Sequence, residues 1–215
     1  MNFFSVLKQV QAARVNPYFM ESQVLSGQYV DRVVSLEKFE REIDAFVQAK
    51  DSHRKRGIIF LDAEFPDIYI GFAAVKLTPP PLVFAVRINF DNYDFEPLSV
   101  VFVNPFTYEP LTQTTQVGTP FLRKIPNDMR PQQLLLQNQG KLPFLCIPGI
   151  REYHNHPAHT GDSWFLYRKK GGEGSLGYLI EKIYEYGITS LVNYQFPAIN
   201  SNVVPLAIDP NLIPE

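Results

Sequence analysis

The residues best suited to chemistry in this chain lie close together in one short segment. Three of the four histidines, His154, His156 and His159, fall within six positions, and the only cysteine, Cys146, lies eight residues before the first of them. In an extended segment the side-chain period is two, so Glu152, His154 and His156 are predicted to project from one face. The segment therefore offers a thiolate, imidazoles and a carboxylate to one ligand.

A turn after the cysteine makes these residues candidates for a metal site. Pro148-Gly149 is a turn signal that would fold the Cys146 thiolate back towards the histidines. Thiolate, imidazole and carboxylate ligands suit tetrahedral zinc, and a site made only of side chains is typical of a structural ion. The prediction is one structural zinc ion held by Cys146, Glu152, His154 and His156, with His159 and Asp162 in reserve to replace Glu152 or to hold a ligand imidazole.

The same residues also have a simpler interpretation. Histidines can cluster in a solvated loop, and an isolated cysteine often packs as a small hydrophobic residue. The four potential ligands in eleven residues, from Cys146 to His156, favour the metal site over this alternative.

The elements before the cluster are predicted from hydrophobic periodicity. Apolar residues recur at helical spacing from Leu36 to Ala49, and Ser35 is the predicted N-cap. From Gly57 the period changes to two, and the segments are rich in β-branched and aromatic residues. Short turns between consecutive strands indicate an antiparallel meander. The predicted strands are residues 57–65, 68–77, 82–90 and 98–103.

The second half of the chain has less regular patterning. Residues 104–141 predict an irregular, surface-lying insertion with one helical turn at Gln132 to Gln137. Ser175 is the predicted cap of a helix that ends at Gly187. The predicted organisation is an N-terminal helical extension over 1–34, one domain with the metal-binding insertion over 35–190, and an irregular proline-rich tail over 191–215 packed on that domain.

Composition excludes several classes of protein. The chain has 215 residues, 45% of them hydrophobic, which is enough for one sizeable core. Its 20 Lys and Arg residues nearly balance 22 Asp and Glu residues, with no block of like charge, so no nucleic-acid partner is predicted. Its apolar runs are too short to span a membrane. A single cysteine cannot form an internal disulfide, and the start of the chain lacks signal-peptide features, so a cytoplasmic location is expected.

The order of elements resembles that of the ubiquitin-conjugating enzymes over roughly residues 35 to 190. Residues 93–102 (YDFEPLSVVF) are similar to the motif Y-x-F-x-P-x-x-V-x-F at the entry to a strand in these enzymes. Cys146 and the later Trp164 resemble the family's cysteine loop and the tryptophan that follows it. The resemblance implies an α+β, ubiquitin-conjugating-enzyme-like fold with an N-terminal helix, a four-stranded antiparallel meander, a long irregular insertion and a C-terminal helix.

A narrower resemblance concerns residues 151–161 (REYHNHPAHTG), which have no counterpart in ordinary conjugating enzymes. The order Cys, Glu, His, His is similar to a prokaryotic family described as a predicted metal-binding domain. Its members occur beside ubiquitin-like proteins and their activating and conjugating enzymes. The resemblance implies a bacterial, non-catalytic accessory protein that binds a ubiquitin-like protein or its conjugating machinery through protein–protein interaction.

Two enzymatic alternatives remain open. In the first, Cys146 is the thioester-forming nucleophile of an active conjugating enzyme and Asn138 stabilises the oxyanion, although the family's His-Pro-Asn triplet is replaced by Leu136-Gln137-Asn138. In the second, residues 154–157 resemble the H-x-H-P core of zinc-dependent deubiquitinases, with His154 and His156 as ligands. Asp162 and Ser163 do not stand at the spacing which that family requires.

Overall fold

The computed structural model describes residues 29–128, 130–168, 172–193 and 207–215. Most of the predicted N-terminal extension, and the first part of the predicted tail after 193, therefore lie outside the described residues. Within these ranges, no helix combines the length and the apolar character that crossing a membrane requires.

The first helix, α1, spans Arg32–Gln48 and begins four residues before the predicted start. Asp31 is its N-cap, because the Asp31 carboxylate accepts a hydrogen bond of 2.7 Å from the backbone N–H of Val33. Ser35 is fully buried inside the helix, so the prediction that it caps α1 is wrong. A second helix, α2 (Lys50–Arg56), follows directly and ends at Gly57.

The predicted four-stranded antiparallel meander is confirmed. The strands pair in chain order, and each link between neighbours is short. The second strand ends four residues before the predicted end, because the chain turns after Ala73. The strands are β1 (Ile58–Glu64), β2 (Asp67–Ala73), β3 (Leu82–Asn89) and β4 (Ser99–Val103).

Both long helices cover the same face of this sheet, as predicted. Phe46 of α1 contacts Phe60 of β1, with ring centroids 6.2 Å apart. Cross-strand pairing places Ile58, Phe72 and Phe84 on the face of Phe60, since side chains alternate with a period of two. Phe84 in turn packs against the last long helix. The core therefore lies between the sheet and the helix pair.

That last long helix, α5, spans Leu176–Ile188. Ser175 caps it as predicted, by accepting a hydrogen bond of 3.3 Å from the backbone N–H of Tyr178. The predicted end at Gly187 is wrong, because Gly187 lies inside the helix at its contact with the sheet. A Cβ atom there would lie 2.7 Å from the Phe121 ring and 2.8 Å from the Phe84 ring.

The insertion after β4 is mostly irregular, as predicted, but it is anchored in the core. Val117, Phe121 and Leu134 are fully buried. The predicted helical turn at Gln132 to Gln137 is wrong, because these residues pair as short strands instead. The short elements are a 3-10 helix (Thr114–Gln116), β5 (Leu122–Arg123) paired with β6 (Gln132–Gln133), and β7 (Leu135–Leu136) paired with β8 (Phe144–Leu145).

The remaining elements are short. Two single-turn helices, α3 (Arg151–His154) and α4 (Trp164–Tyr167), flank the 3-10 helix Pro157–His159. After α5, β9 (Leu191–Asn193) pairs antiparallel with β10 (Ala207–Ile208), and a last 3-10 helix spans Pro210–Leu212. The described end of the tail packs on the insertion, since Lys124 donates a hydrogen bond of 2.8 Å to the carbonyl oxygen of Pro214.

Candidate functional site around Cys146

Cys146 directly follows β8 and is held at the edge of the core. Its backbone N–H donates a hydrogen bond of 2.8 Å to the carbonyl oxygen of Leu134, and its neighbours Leu145 and Ile147 are buried. The side chain itself is 9% exposed. The cysteine therefore occupies a well-supported position with limited access from solvent.

The predicted turn after the cysteine is present at Pro148–Gly149. Gly149 has a φ of 93°, a conformation that favours glycine. A Cβ atom at this position would lie 3.2 Å from both the Cα of Gly174 and the ring of Tyr167. The turn therefore packs tightly and returns the chain to β4, where the N–H of Arg151 bonds to the carbonyl oxygen of Leu98.

The predicted extended conformation of residues 152–156 is wrong. The Ile150 carbonyl oxygen accepts hydrogen bonds from the N–H groups of Tyr153 (3.1 Å) and His154 (3.2 Å), which begins a helical turn. Side chains two residues apart therefore do not share a face, as they would in a strand. As a result, Glu152, His154 and His156 contact different parts of the structure.

Glu152 points to the sheet. Its carboxylate accepts a hydrogen bond from the Ser99 hydroxyl and another of 3.1 Å from the backbone N–H of Val100. Both carboxylate oxygens therefore have protein partners at the start of β4. This contact fastens α3 to the sheet.

His154 lies between two loops. Its Nε2 accepts a hydrogen bond of 3.1 Å from the N–H of Gly149, and its Nδ1 lies 2.8 Å from the carbonyl oxygen of Asp162. Burial lowers the pKa of this imidazole below its ordinary value. Because both ring nitrogens have backbone partners, neither is directed at a metal in this conformation.

His156 packs against Phe144, two residues before Cys146. Its ring stacks on Phe144, with centroids 5.5 Å apart, and its Nδ1 accepts a hydrogen bond of 3.2 Å from the N–H of Ala158. Its ring centroid lies 5.8 Å from that of His159. Of the histidines, however, it is His159 that contacts Cys146.

The two residues held in reserve by the sequence prediction are the ones that assemble with the cysteine. The Cys146 Sγ lies 3.3 Å from the Nε2 of His159. The Nδ1 of His159 lies 3.3 Å from a carboxylate oxygen of Asp162. Cysteine, histidine and aspartate thus form one chain of polar contacts from the core edge to the surface.

Tyr153 holds this arrangement and was not predicted from the sequence. Its ring stacks on His159, with centroids 3.9 Å apart and planes 22° from parallel. Its hydroxyl donates a hydrogen bond of 2.5 Å to Asp162. The helical turn of α3 produces both contacts, and a lone tyrosine in the sequence carries no signal for them.

The pKa values of the Cys146 thiol and the Asp162 carboxyl group are shifted in opposite directions. Burial raises the pKa of the Cys146 thiol. The hydrogen bond from Tyr153 and the nearby His159 hold the pKa of Asp162 below its usual range. At neutral pH the thiol therefore keeps its proton while the carboxylate is ionised, and His159 lies between them.

Asn138, the predicted oxyanion-stabilising residue, lies away from Cys146. It belongs to the turn between β7 and β8, where its carbonyl oxygen accepts a hydrogen bond of 3.0 Å from the N–H of Lys141. Cys146 lies opposite Leu134 at the other end of this hairpin. Leu134 and Asn138 are four positions apart in sequence, which corresponds to about 13 Å in an extended chain.

The predicted metal ligands do not all converge. Among the residues that the structure describes, no three or more His, Cys, Asp or Glu side chains are grouped so as to hold a metal ion. Cys146 and His159 are brought together, whereas Glu152 and His154 are bonded elsewhere. Metal binding stays a prediction.

The motif at residues 93–102 and the tryptophan after the cysteine contact each other. Tyr93 and Phe102 are buried, while Phe95 is exposed and packs edge-on against Phe165. The indole Nε1 of Trp164 donates a hydrogen bond of 3.0 Å to the carbonyl oxygen of Asp94. The two features on which the resemblance to conjugating enzymes rests are therefore in contact with each other.

Comparison with known proteins identifies related sequences. A family model described as Y4jH-like, for the Y4jH family, matches residues 30–140 and 127–191. The chain is 37% identical over 204 residues to the protein y4jH of Sinorhizobium fredii (strain NBRC 101917 / NGR234). That alignment covers 87% of this chain and 98% of the relative. The second matched segment contains the whole Cys146–Asp162 cluster.

Proposed function

The chain belongs to the Y4jH-like family, and we propose that its Cys146 is the nucleophile of an acyl-transfer reaction. The observation that carries this proposal is the 3.3 Å contact between Cys146 Sγ and His159 Nε2, with Asp162 on the opposite ring nitrogen. A nucleophile beside a base that is itself oriented by a third group is the arrangement that nucleophilic catalysis requires.

Each residue has a defined part in the proposed step. Because the Cys146 thiol is protonated at neutral pH, His159 accepts its proton as sulfur attacks the carbonyl carbon of an acyl donor. A carbon–sulfur bond forms, the bond to the leaving group breaks, and the imidazolium returns its proton to that group. Asp162 stabilises the imidazolium, and the stacked Tyr153 fixes the plane of the ring.

The resemblance to conjugating enzymes supports a particular acyl donor. The helix, the four-stranded meander, a cysteine after a long insertion and a final helix follow the order of elements in that fold. The contact of Trp164 with the backbone of Asp94 joins the motif at residues 93–102 to the segment after the cysteine. On this proposal the donor is the C-terminal acyl group of a ubiquitin-like protein, carried as a thioester on its activating enzyme, and the thiol of that enzyme is the leaving group.

A structural zinc site is the second candidate, and the same contact favours it. Two ligands of one tetrahedral zinc ion, a thiolate and an imidazole, lie about 3.5 Å apart, close to the observed 3.3 Å between Cys146 Sγ and His159 Nε2. Asp162 would then hold the ligand imidazole, and His156, whose ring centroid lies 5.8 Å from that of His159, is a candidate further ligand. The protein would be a non-catalytic accessory that binds a ubiquitin-like protein or its conjugating machinery.

Acyl transfer and metal binding make exclusive demands on Cys146, so one set of variants separates them. The protein is mixed with p-nitrophenyl acetate and analysed by intact mass, beside Cys146→Ser, His159→Phe and His156→Phe. Acyl transfer predicts a hydroxylamine-sensitive acetyl adduct on the wild type and on His156→Phe, with rapid formation lost in the other two variants. A wild type that is never acetylated, and whose zinc is lost in His156→Phe, would refute acyl transfer and favour the metal site.

A charged activating enzyme with its ubiquitin-like partner then tests the donor. Transfer to this chain should give a reductant-sensitive adduct that is lost in Cys146→Ala. Acetylation of Cys146 without any such adduct would keep the nucleophile and reject this class of donor.

A further inference from the structure

One imidazole joins the two loops that carry the proposed nucleophile and base. The N–H of Gly149, three residues after Cys146, donates to His154 Nε2 at 3.1 Å. On the other side of the ring, Nδ1 lies 2.8 Å from the carbonyl oxygen of Asp162, three residues after His159. His154 is therefore a bridge between the backbone of the cysteine turn and the backbone that follows the base.

The two partners fix the protonation of this bridge. A carbonyl oxygen only accepts hydrogen bonds, so Nδ1 must carry the proton, and a backbone N–H only donates, so Nε2 must present its lone pair. His154 is therefore the neutral Nδ1–H tautomer. Apolar side chains of similar size can fill the same space but cannot make either bond.

Aromatic packing holds the ring in this position. The ring centroids of Trp164 and Tyr167 lie 5.8 Å and 6.0 Å from that of His154. The Tyr167 ring also packs against the turn at Gly149. A Cβ atom added to Gly149 would lie only 3.2 Å from this ring. These aromatic side chains therefore restrain both the His154 ring and the Gly149 turn to which it is bonded.

We propose that His154 is a positioning residue that sets the separation between Cys146 and His159. The inference rests on the proposed function, because it assigns to His154 the alignment of that nucleophile and that base. The side chains of a functional site must be held within about 0.5 Å of their productive geometry, and contacts from neighbouring residues provide this precision. Without His154, no side chain among the described residues joins the backbone at Gly149 to the backbone at Asp162 by hydrogen bonds. We then expect the 3.3 Å distance between Cys146 Sγ and His159 Nε2 to increase.

The alkylation rate of Cys146 by iodoacetamide reports this alignment without ambiguity, since the chain has one cysteine. His154→Phe keeps an aromatic ring but removes both hydrogen bonds, whereas His154→Gln offers an acceptor and a donor. The Phe variant should react about ten- to a hundredfold more slowly than the wild type at neutral pH, and the Gln variant should recover most of that loss. His159→Phe sets the rate expected when the base is absent.

Two comparisons decide the outcome. A folded His154→Phe variant that reacts at the wild-type rate, while His159→Phe is slow, overturns the role of His154 alone. If His159→Phe also reacts at the wild-type rate, it is the proposed function that fails. Should His154→Phe not fold, His154→Asn takes its place with the same expectation, because its shorter amide cannot span both loops.

A measurement on the wild type tests the geometry directly. Long-range nitrogen–proton NMR correlations of the His154 ring should show the Nδ1–H tautomer only. A mixture of both tautomers would contradict the bridge.

Discussion

The sheet and the segment from Cys146 to Asp162 are held together in opposite ways. In the sheet, central residues such as Ile70, Phe72 and Phe84 are buried and pack on one another, so burial of apolar area supplies the stability. In the segment, the shape depends on polar contacts from side chains to backbone and to one another. Substitutions in the sheet should therefore have the larger effect on stability, whereas substitutions in the segment should have smaller effects on stability and should also change the reactivity of Cys146.

The largest expected effect is a loss of stability in the sheet. Phe72 is fully buried and stacks on Phe84, with ring centroids 4.9 Å apart. Phe72→Ala should lower the free energy of unfolding by about 3–5 kcal/mol, as measured by urea denaturation. The control Phe106→Ala removes a side chain that is 87% exposed and should change it by no more than about 0.5 kcal/mol. Equal effects of the two variants would contradict the described core.

An intermediate effect is expected where the segment is fastened to the sheet. Glu152→Ala removes the acceptor for the Ser99 hydroxyl and for the N–H of Val100. This variant should lose about 1.5–3 kcal/mol of stability, whereas Glu40→Ala, at an exposed position of α1, serves as the matched control. If Glu152 were instead a zinc ligand, its substitution would also release a metal ion, which elemental analysis would detect.

A smaller effect is expected at Tyr153, inside the segment. Tyr153→Phe keeps the ring on His159 but removes the hydrogen bond to Asp162, so the pKa of Asp162 should rise towards its ordinary value. A carboxyl group whose pKa is lowered on folding contributes stability above its unfolded pKa, and that contribution is lost as pH falls through the folded pKa. Carbon-13 NMR titration of Asp162 measures the shift. An identical titration in both proteins would show that the hydrogen bond is not formed.

The smallest expected effect is that of a chelator. If Cys146 is a free nucleophile, EDTA should leave its alkylation rate unchanged, because no metal competes for the sulfur. Faster alkylation in the presence of EDTA would mean that a bound metal protects the thiolate. The segment from Cys146 to Asp162 would then be stabilised by a metal ion and not only by its polar contacts. The zinc content of the gel-filtered protein provides the independent check.

The sequence by itself determined the elements whose formation depends on local patterning. Alternation of apolar residues was sufficient for the meander, and the Ser175 cap with its apolar stripe was sufficient for the start of α5. The position of the candidate site between Cys146 and Asp162 could also be predicted, because residue types and spacing are properties of the chain. A strand with one buried face must place its apolar residues on that face, so the alternating pattern in the sequence specifies how the strand is placed in the sheet.

Only the tertiary structure decided which members of the cluster meet. One helical turn at α3 and one 3-10 turn after it change the direction of every side chain from Glu152 to His159. Glu152 therefore reaches Ser99, 53 residues away in sequence, and His159 rather than His154 contacts Cys146. These contacts depend on the orientation of side chains relative to a distant strand. Helical and extended backbones differ by roughly 180° in ψ, and this difference over residues 151–159 decided which side chains meet Cys146.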